Sequence, residues 1–177
     1  MKILKAELVN TKEISEIYRN ARLAMIESGN PDQWGENYPP EDIIQKDINA
    51  NSLFICVDGR RIVGCFAFSK GEDPTYLEIY NGKWLNKEPY AVIHRLAILE
   101  QGKGVGTICV NWCLKQQANI RVDTHEKNHS MQALLTKLSF KYCGVVKNSW
   151  GDHRVAFQKV DQLIIKKING VRLRFPH

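Results

Sequence analysis

The chain has 177 residues, of which 44% are hydrophobic and 25% are charged. This composition is typical of one globular domain of ordinary size, and it excludes a disordered or fibrous protein. The formal net charge of +6 raises the possibility of nucleic-acid binding, but the basic residues are spread along the chain, so we rank nucleic acid as an unlikely partner. No run approaches the ~18 apolar residues of a membrane helix, and we expect no membrane association.

The five cysteines, an odd number, lie mostly inside apolar stretches. Buried thiols in a reducing compartment explain this distribution better than a disulfide framework, and none of the spacings matches a zinc site. The amino terminus lacks the apolar run and the small-residue cleavage site of a signal peptide. We therefore expect a cytoplasmic protein without a bound metal.

Hydrophobic periodicity predicts a chain in which strands and helices are interspersed. The predicted elements, in chain order, are a strand over 3–8, helices over 11–28 and 40–48, strands over 53–57, 62–68 and 90–99, a helix over 105–113, a strand over 119–122, a helix over 131–138, and strands over 140–146 and 154–160. Residues 71–88 form a long irregular segment, of the kind that is usually functional or lid-like. The order is typical of an α/β (α+β mixed) domain with helices on both faces of a mixed sheet.

We expect one domain over residues 1–160 and a C-terminal extension over residues 161–177. In the extension, Asn169-Gly170 separates two apolar segments, and Asn-Gly is the strongest short-range signal of a β-hairpin. A lone hairpin is marginally stable in water, so it would pack on the end of the sheet or form a homodimer contact. A disordered basic tail is the alternative.

A glycine-rich loop carries most of the functional signal. Residues 101–107, Gln-Gly-Lys-Gly-Val-Gly-Thr, follow a predicted strand and open a predicted helix. Alternate glycines let several backbone N–H groups converge beside the helix N-terminus, a geometry that binds pyrophosphate. The spacing matches neither the P-loop nor the dinucleotide fingerprint, and a glycine-rich turn without a ligand is the alternative.

The loop, written Gln101-x-x-Gly104-x-Gly106, resembles the coenzyme A signature Gln/Arg-x-x-Gly-x-Gly/Ala of the GNAT acetyltransferase superfamily. A second segment resembles the family's Asn-x-x-Ala-x-x-Leu-Tyr-x-x-x-Gly-Phe helix, as Asn128-x-x-Met131-x-x-Leu134-Leu135-x-x-x-Ser139-Phe140. The resemblance extends from residue 3 to about residue 159. It implies that residues 1–160 are a GNAT acyl-CoA-binding domain, with a mostly antiparallel sheet and a splayed central strand pair.

The resemblance also implies the ligand and the reaction. Acetyl-CoA would be the co-substrate, and its acetyl group would pass by direct attack, in a ternary complex, to the amine of a small-molecule or peptide acceptor. The implied cofactor-binding residues lie on the strand before the loop, in the loop and at the start of the later helix: Leu96, Ala97, Ile98, Gln101, Gly102, Lys103, Gly104, Val105, Gly106, Thr107, Asn128 and Met131.

Two residues depart from the family pattern. Leu135 stands where the family often has a tyrosine that protonates the departing thiolate, and Ser139 stands where the family has a glycine. The missing tyrosine, and the lack of a carboxylate over residues 90–99, keep open a second function, a non-catalytic coenzyme A-binding protein of the same fold. Affinity for coenzyme A would distinguish the acetyltransferase and the non-catalytic binding protein from a nucleic-acid-binding module.

Acetylation of an amine needs a proton acceptor, a donor for the thioester oxyanion and a tolerable leaving group. His94 is the candidate base, and its alternative is a histidine hydrogen-bonded to a neighbouring loop. Asp123 is the second candidate, as base or amine anchor, and its alternative is a helix cap or turn. Tyr142 is the candidate acid, and its alternative is a solvent proton. On a regular strand Arg95 points away from His94, where it either anchors an acceptor carboxylate or forms a salt bridge.

The acceptor pocket is expected to draw on residues 32–38 and 76–84. Aromatic and acidic side chains alternate in these segments and could hold a cationic amine. The alternative is a hydrophobic patch that covers the edge of the sheet.

Overall fold

The computed structural model describes residues 1–161, so the predicted hairpin and its possible dimer contact lie outside the described residues. The strands are β1 (Lys2–Lys5), β2 (Leu53–Asp58), β3 (Arg61–Lys70), β4 (Ala91–Ile98), β5 (Asn119–Thr124), β6 (Lys141–Lys147) and β7 (His153–Val160). The α-helices are α1 (Thr11–Glu27), α2 (Glu41–Asn49), α3 (Val105–Gln116) and α4 (His129–Lys137). No helix in this part of the chain is long and apolar enough to cross a membrane.

The strands form one sheet in the order β1-β2-β3-β4-β5-β7-β6. Every neighbouring pair is antiparallel except β4 and β5, which are parallel. The β4–β5 ladder contains only two pairs, Ala91 with Ile120 and Val92 with Arg121. Beyond these pairs the two strands diverge. The prediction of a mostly antiparallel sheet with a splayed central pair is therefore confirmed.

The two faces of the sheet bury different helices, because successive side chains of a strand point to opposite sides. Phe54 and Cys56 of β2 join the core with α3 and α4, whereas Leu53 and Ile55 join the core with α1 and α2. Each fully buried aliphatic side chain of this kind contributes about 1.5–3 kcal/mol from burial. Helices thus cover both faces, as predicted.

A β-bulge interrupts β4 just beyond its last pair with β5. Cys65 pairs with Ala97 and Ala67 pairs with His94, so one residue of β3 opposes two residues of β4. Arg95, one of the two, has a left-handed φ of 53°. The extra residue reverses the alternation of side chains along the rest of β4.

The long segment between β3 and β4 is fastened to the sheet by polar and aromatic contacts. The guanidinium of Arg121 lies 4.3 Å from the ring centroid of Trp84 and 3.8 Å from that of Tyr90. The side-chain oxygen of Gln158 accepts a hydrogen bond from the N–H of Leu85 at 2.7 Å. Residues 74–76 form a short 3-10 turn inside this segment. These contacts fix the position of the turn against β4 and β5.

All five cysteines are free and buried, in agreement with the sequence. Burial raises the pKa of the Cys65 thiol to about 12, and it also raises the pKa values of the Cys109 and Cys113 thiols. Thiols in such surroundings are inert toward oxidation and metal binding, because the reactive form is the thiolate.

Candidate active site

A cavity of about 780 Å³ opens where β4 and β5 diverge. Eleven of the twelve cofactor-binding residues implied by the resemblance line it: Leu96, Ala97, Ile98, Gln101, Gly102, Gly104, Val105, Gly106, Thr107, Asn128 and Met131. The exception is Lys103, whose ammonium forms an ion pair with Glu100. The positive charge expected from Lys103 is therefore directed at a neighbouring carboxylate.

The glycines of the loop have two different structural roles. Gly102 and Gly104 adopt φ values of 80° and 75°, which favour glycine, and Gly104 is the N-cap of α3. At Gly106 a Cβ atom would come within 2.9 Å of a Leu134 methyl group. Gly106 therefore permits the close approach of α3 and α4, whereas the other two permit the sharp turn that exposes the N-terminus of α3.

Asn128 caps α4 and also joins it to the segment between α1 and α2. Its side-chain oxygen accepts a hydrogen bond from the N–H of Met131 at 3.0 Å, and its amide donates to the side-chain oxygen of Gln33 at 2.8 Å. The same oxygen of Gln33 accepts a hydrogen bond from Asn30 at 2.9 Å. These contacts fix the side chain of Gln33 in the cavity lining, next to the start of α4.

His94 and Asp123 line the same cavity together with Asp73, which the sequence did not single out, and the buried side chain of Tyr76 contacts His94 and Asp123. Nε2 of His94 lies 2.9 Å from Oδ2 of Asp73, and Nδ1 lies 3.9 Å from Oδ1 of Asp123. The hydroxyl of Tyr76 donates a hydrogen bond to the same oxygen of Asp123 at 2.6 Å, and its ring stacks on the imidazole at 5.8 Å. We call these four residues the histidine cluster.

The charges of the cluster fix the tautomer of the imidazole. Burial opposes ionisation of Asp73, but the hydrogen bond and charge of His94 and the N–H of Thr75 outweigh it and lower the pKa of Asp73 to about 2. An ionised carboxylate only accepts hydrogen bonds, so Nε2 of His94 carries a proton and Nδ1 keeps its lone pair in the neutral ring. Burial, and then the charge of Asp123, raises the pKa of Tyr76 well above its usual value, so this phenol stays protonated.

Sequence reasoning missed Asp73, and it included Tyr76 only in the acceptor segment 76–84, because the contacts of both residues are long-range. Asp73-Pro74 is recognisable as a turn, and the carboxylate accepts a hydrogen bond from the N–H of Thr75 at 2.9 Å. Nothing in the local sequence indicates that this turn contacts β4 and β5.

Of the two alternatives for Asp123, the cap is wrong, because the residue lies within β5 and Asn128 caps the next helix.

The bulge places Arg95 on the same side of the sheet as His94, so the expectation of opposite faces is wrong. Arg95 donates to Oδ2 of Asp47 at 2.6 Å and to the hydroxyl of Tyr38 at 3.2 Å. Of the two interpretations left open by the sequence, the salt bridge is the one observed. A regular strand would have sent this guanidinium toward α3.

Tyr142 does not reach the cavity. It lies on β6 with 56% of its surface exposed and packs edge-on against Phe157. Leu135, at the position of the family's tyrosine, is fully buried in the core. The predicted acid therefore has no access to the reacting groups, because the sheet register carries β6 to the far edge.

The acceptor side of the cavity differs partly from the prediction. Of residues 32–38, the side chains of Gln33, Trp34 and Tyr38 line the cavity, whereas residues 76–84 do not. Their place is taken by the connection between β6 and β7, where the ring of Trp150 packs against Tyr38 at 5.1 Å. Arg154, just after this connection, also lines the cavity.

Comparison with known proteins gives the family. The model of the acetyltransferase (GNAT) family matches residues 14–140. A GNAT-family acetyltransferase from Streptococcus agalactiae is 30% identical, with 90% of this chain and 94% of that chain covered and a TM-score of 0.83.

Two further solved structures share the fold at lower identity. A putative acetyltransferase from Staphylococcus aureus is 21% identical, with 90% of this chain and 99% of that chain covered and a TM-score of 0.66. A putative acetyltransferase from Salmonella typhimurium, solved with its cofactor acetyl-CoA, is 14% identical, with 90% and 92% covered and a TM-score of 0.62. A search of curated proteins found no match. On the family match and the Streptococcus relative, this chain belongs to the GNAT acetyltransferase family.

Proposed function

We propose that the protein transfers the acetyl group of acetyl-CoA to an amine acceptor by direct attack in a ternary complex. The observation that carries the proposal is that one cavity is lined both by the glycine loop and by His94 and Asp123. The acetyl-CoA bound to the Salmonella relative supports the choice of co-substrate. The buried, unpaired cysteines support a reducing, cytoplasmic compartment.

The residues present fit acetyl-CoA. The open N-terminus of α3 and the N–H groups of residues 101–107 suit a pyrophosphate, and the backbone of residues 96–98 borders the gap beyond the last β4–β5 pair. When bound, acetyl-CoA supplies an activated acyl carbon. A backbone N–H near Leu96 is the proposed donor to the thioester oxygen.

His94 and Asp123 together suit an amine. An amine nitrogen at hydrogen-bond distance from both Nδ1 of His94 and Oδ1 of Asp123 would form the apex of a triangle whose base is their 3.9 Å separation. The carboxylate attracts the ammonium form, and the lone pair of Nδ1 takes the proton as the nitrogen attacks. Asp73 stabilises the resulting imidazolium through Nε2.

The bonds and protons balance without a further reactant. The ammonium releases one proton to solvent and becomes the nucleophilic amine, after which the C–N bond to the acceptor forms and the C–S bond breaks. His94 receives the second proton from the nitrogen, and solvent protonates the departing thiolate. Because Tyr142 lies outside the cavity and Leu135 cannot donate, solvent is the proposed acid. Tyr38 is the rival donor, since its hydroxyl lies in the cavity and accepts a hydrogen bond from Arg95.

The test is an acceptor screen that monitors release of the coenzyme A thiol. Turnover with an amine is expected, and His94→Ala should lower kcat/KM by roughly 10²-fold or more while the acetyl-CoA-induced rise in melting temperature persists. Comparing the loss of kcat/KM in Asp123→Asn with that in His94→Ala ranks the two candidate bases. Tyr38→Phe tests whether the Tyr38 hydroxyl, rather than solvent, protonates the departing thiolate. Binding of acetyl-CoA without turnover of any amine would favour the non-catalytic protein, and no binding would reject both functions.

A further inference from the structure

Arg154 is a buried cation in the cavity that the chemistry proposed above does not use. Only 6% of its side chain is exposed. The guanidinium donates hydrogen bonds to the carbonyl oxygens of His153 at 3.1 Å and Gln33 at 3.4 Å, and the carboxylate of Asp152 lies 3.6 Å away. Since a guanidinium has five N–H donors, three of them make no hydrogen bond within residues 1–161. Arg154 therefore keeps donor capacity for a ligand.

The neighbouring cation of the cavity is paired more closely than Arg154. Arg95 is neutralised by Asp47, with two of its nitrogens within 3.1 Å of one carboxylate oxygen. Its third nitrogen donates to Tyr38. The nearest carboxylate lies 2.6 Å from Arg95 but 3.6 Å from Arg154, so an anionic group that enters the acceptor side would meet Arg154 as the less neutralised of these two cations.

The sheet places Arg154 close to the proposed amine position. Asp123 on β5 pairs directly with Ala156 on β7, and Arg154 precedes Ala156 by two residues, so all three side chains share one face. Diagonal neighbours of this kind have Cα atoms about 7–8 Å apart. One end of the acceptor side thus presents a carboxylate, and the other end presents a guanidinium.

We propose that the acceptor is an amine that also carries a carboxylate, such as a small amino acid, and that Arg154 is its carboxylate anchor. This inference rests on the proposed function. The ammonium group lies against Asp123 and His94. The carboxylate accepts hydrogen bonds from the guanidinium donors that remain after the contacts with His153 and Gln33, and the planar guanidinium suits the two oxygens of a carboxylate. Diamines and internal peptide amines lack the group that Arg154 recognises.

The experiment compares acceptors that differ only in the carboxylate. Each amino acid is assayed by thiol release beside its carboxamide and its decarboxylated amine, with wild type, Arg154→Gln, Arg154→Lys and Asp152→Asn. Wild type should prefer the acid over both analogues by roughly 10- to 100-fold in kcat/KM, mainly through KM. Arg154→Gln should abolish this preference while acetyl-CoA still raises the melting temperature. Arg154→Lys should retain part of it, because the charge remains and the fork is lost.

The control and the contrary outcomes separate this inference from the proposed function. Asp152→Asn should keep the preference, because it removes the distant ion-pair partner and leaves the guanidinium in place. Equal turnover of acid, amide and amine by wild type would overturn the anchor and leave acetyl transfer intact. Absence of turnover with every amine would overturn both. A preference that survives in Arg154→Gln would assign carboxylate recognition to another residue and also refute the proposal.

Discussion

The contact between Asp73 and His94 makes stability depend on pH in a way that a single substitution can test. The carboxylate has a pKa of about 2 in the fold and 3.8 as the ordinary value. A difference of this size is worth about 2 kcal/mol, which is an upper value because 21% of the side chain is exposed and solvent screens the charge. Since the folded pKa is the lower one, this stability is fully present above 3.8 and is lost as the pH falls toward 2.

Asp73→Asn removes the titrating group and keeps the shape of the side chain. Lowering the pH from about 5 to about 3 should cost wild type about 1 kcal/mol through this carboxylate, and the variant should not show that part of the loss. Urea denaturation followed by circular dichroism at several pH values measures both slopes.

A double-mutant comparison identifies the cause. Because the hydrogen bond and charge of His94 contribute most to lowering the pKa, the difference that Asp73→Asn makes to the stability–pH profile should shrink when His94→Gln is present in both proteins. Parallel stability–pH profiles for wild type and Asp73→Asn would refute the assignment of an ionised, paired carboxylate at this position.

Three further changes test other parts of the molecule. Thr107→Glu places a negative charge in the first turn of α3, beside the expected pyrophosphate, and should weaken acetyl-CoA binding by roughly 10²-fold without lowering apo stability. Thr107→Gln should bind nearly as wild type, and equal melting-temperature shifts for the two variants would contradict the loop assignment. Ser139→Gly should raise stability by about 1 kcal/mol, because Ser139 has a φ of 62° after α4, and an unchanged urea midpoint would show that no strain is relieved. Arg121→Met should lower kcat more than acetyl-CoA affinity, since the cation holds the segment that delivers Asp73; a proportional loss of both would count against that role.

The sequence predicted what local patterns determine. The glycine loop is a short motif whose geometry depends on neighbouring residues, and eleven of the twelve cofactor positions implied by the resemblance line one cavity. The order of strands and helices was likewise recoverable from apolar periodicity, with boundaries shifted by a few residues. The first strand ends at Lys5 rather than residue 8, because the next residues form a 3-10 turn that leads into α1.

Contacts that depend on strand register or on distant segments could not be predicted from the sequence. One inserted residue at the bulge decides on which side of the sheet Arg95 emerges, and no local signal marks the insertion. Asp73 meets His94 across 21 positions of sequence, and Arg154 approaches Gln33 across 121. Tyr142 is the tyrosine nearest in sequence to Leu135, but the sheet order carries its strand to the edge. The approach of distant segments is set by the whole fold rather than by any motif.

The burial of every cysteine has a practical consequence for assays of this protein. A colorimetric thiol reagent should react only with free coenzyme A while the chain is folded, because every cysteine is buried and burial raises the pKa of each thiol. A substitution that unfolds the chain should instead expose five reactive groups per molecule. The thiol signal of a variant measured without acetyl-CoA therefore distinguishes a folded, inactive variant from an unfolded one.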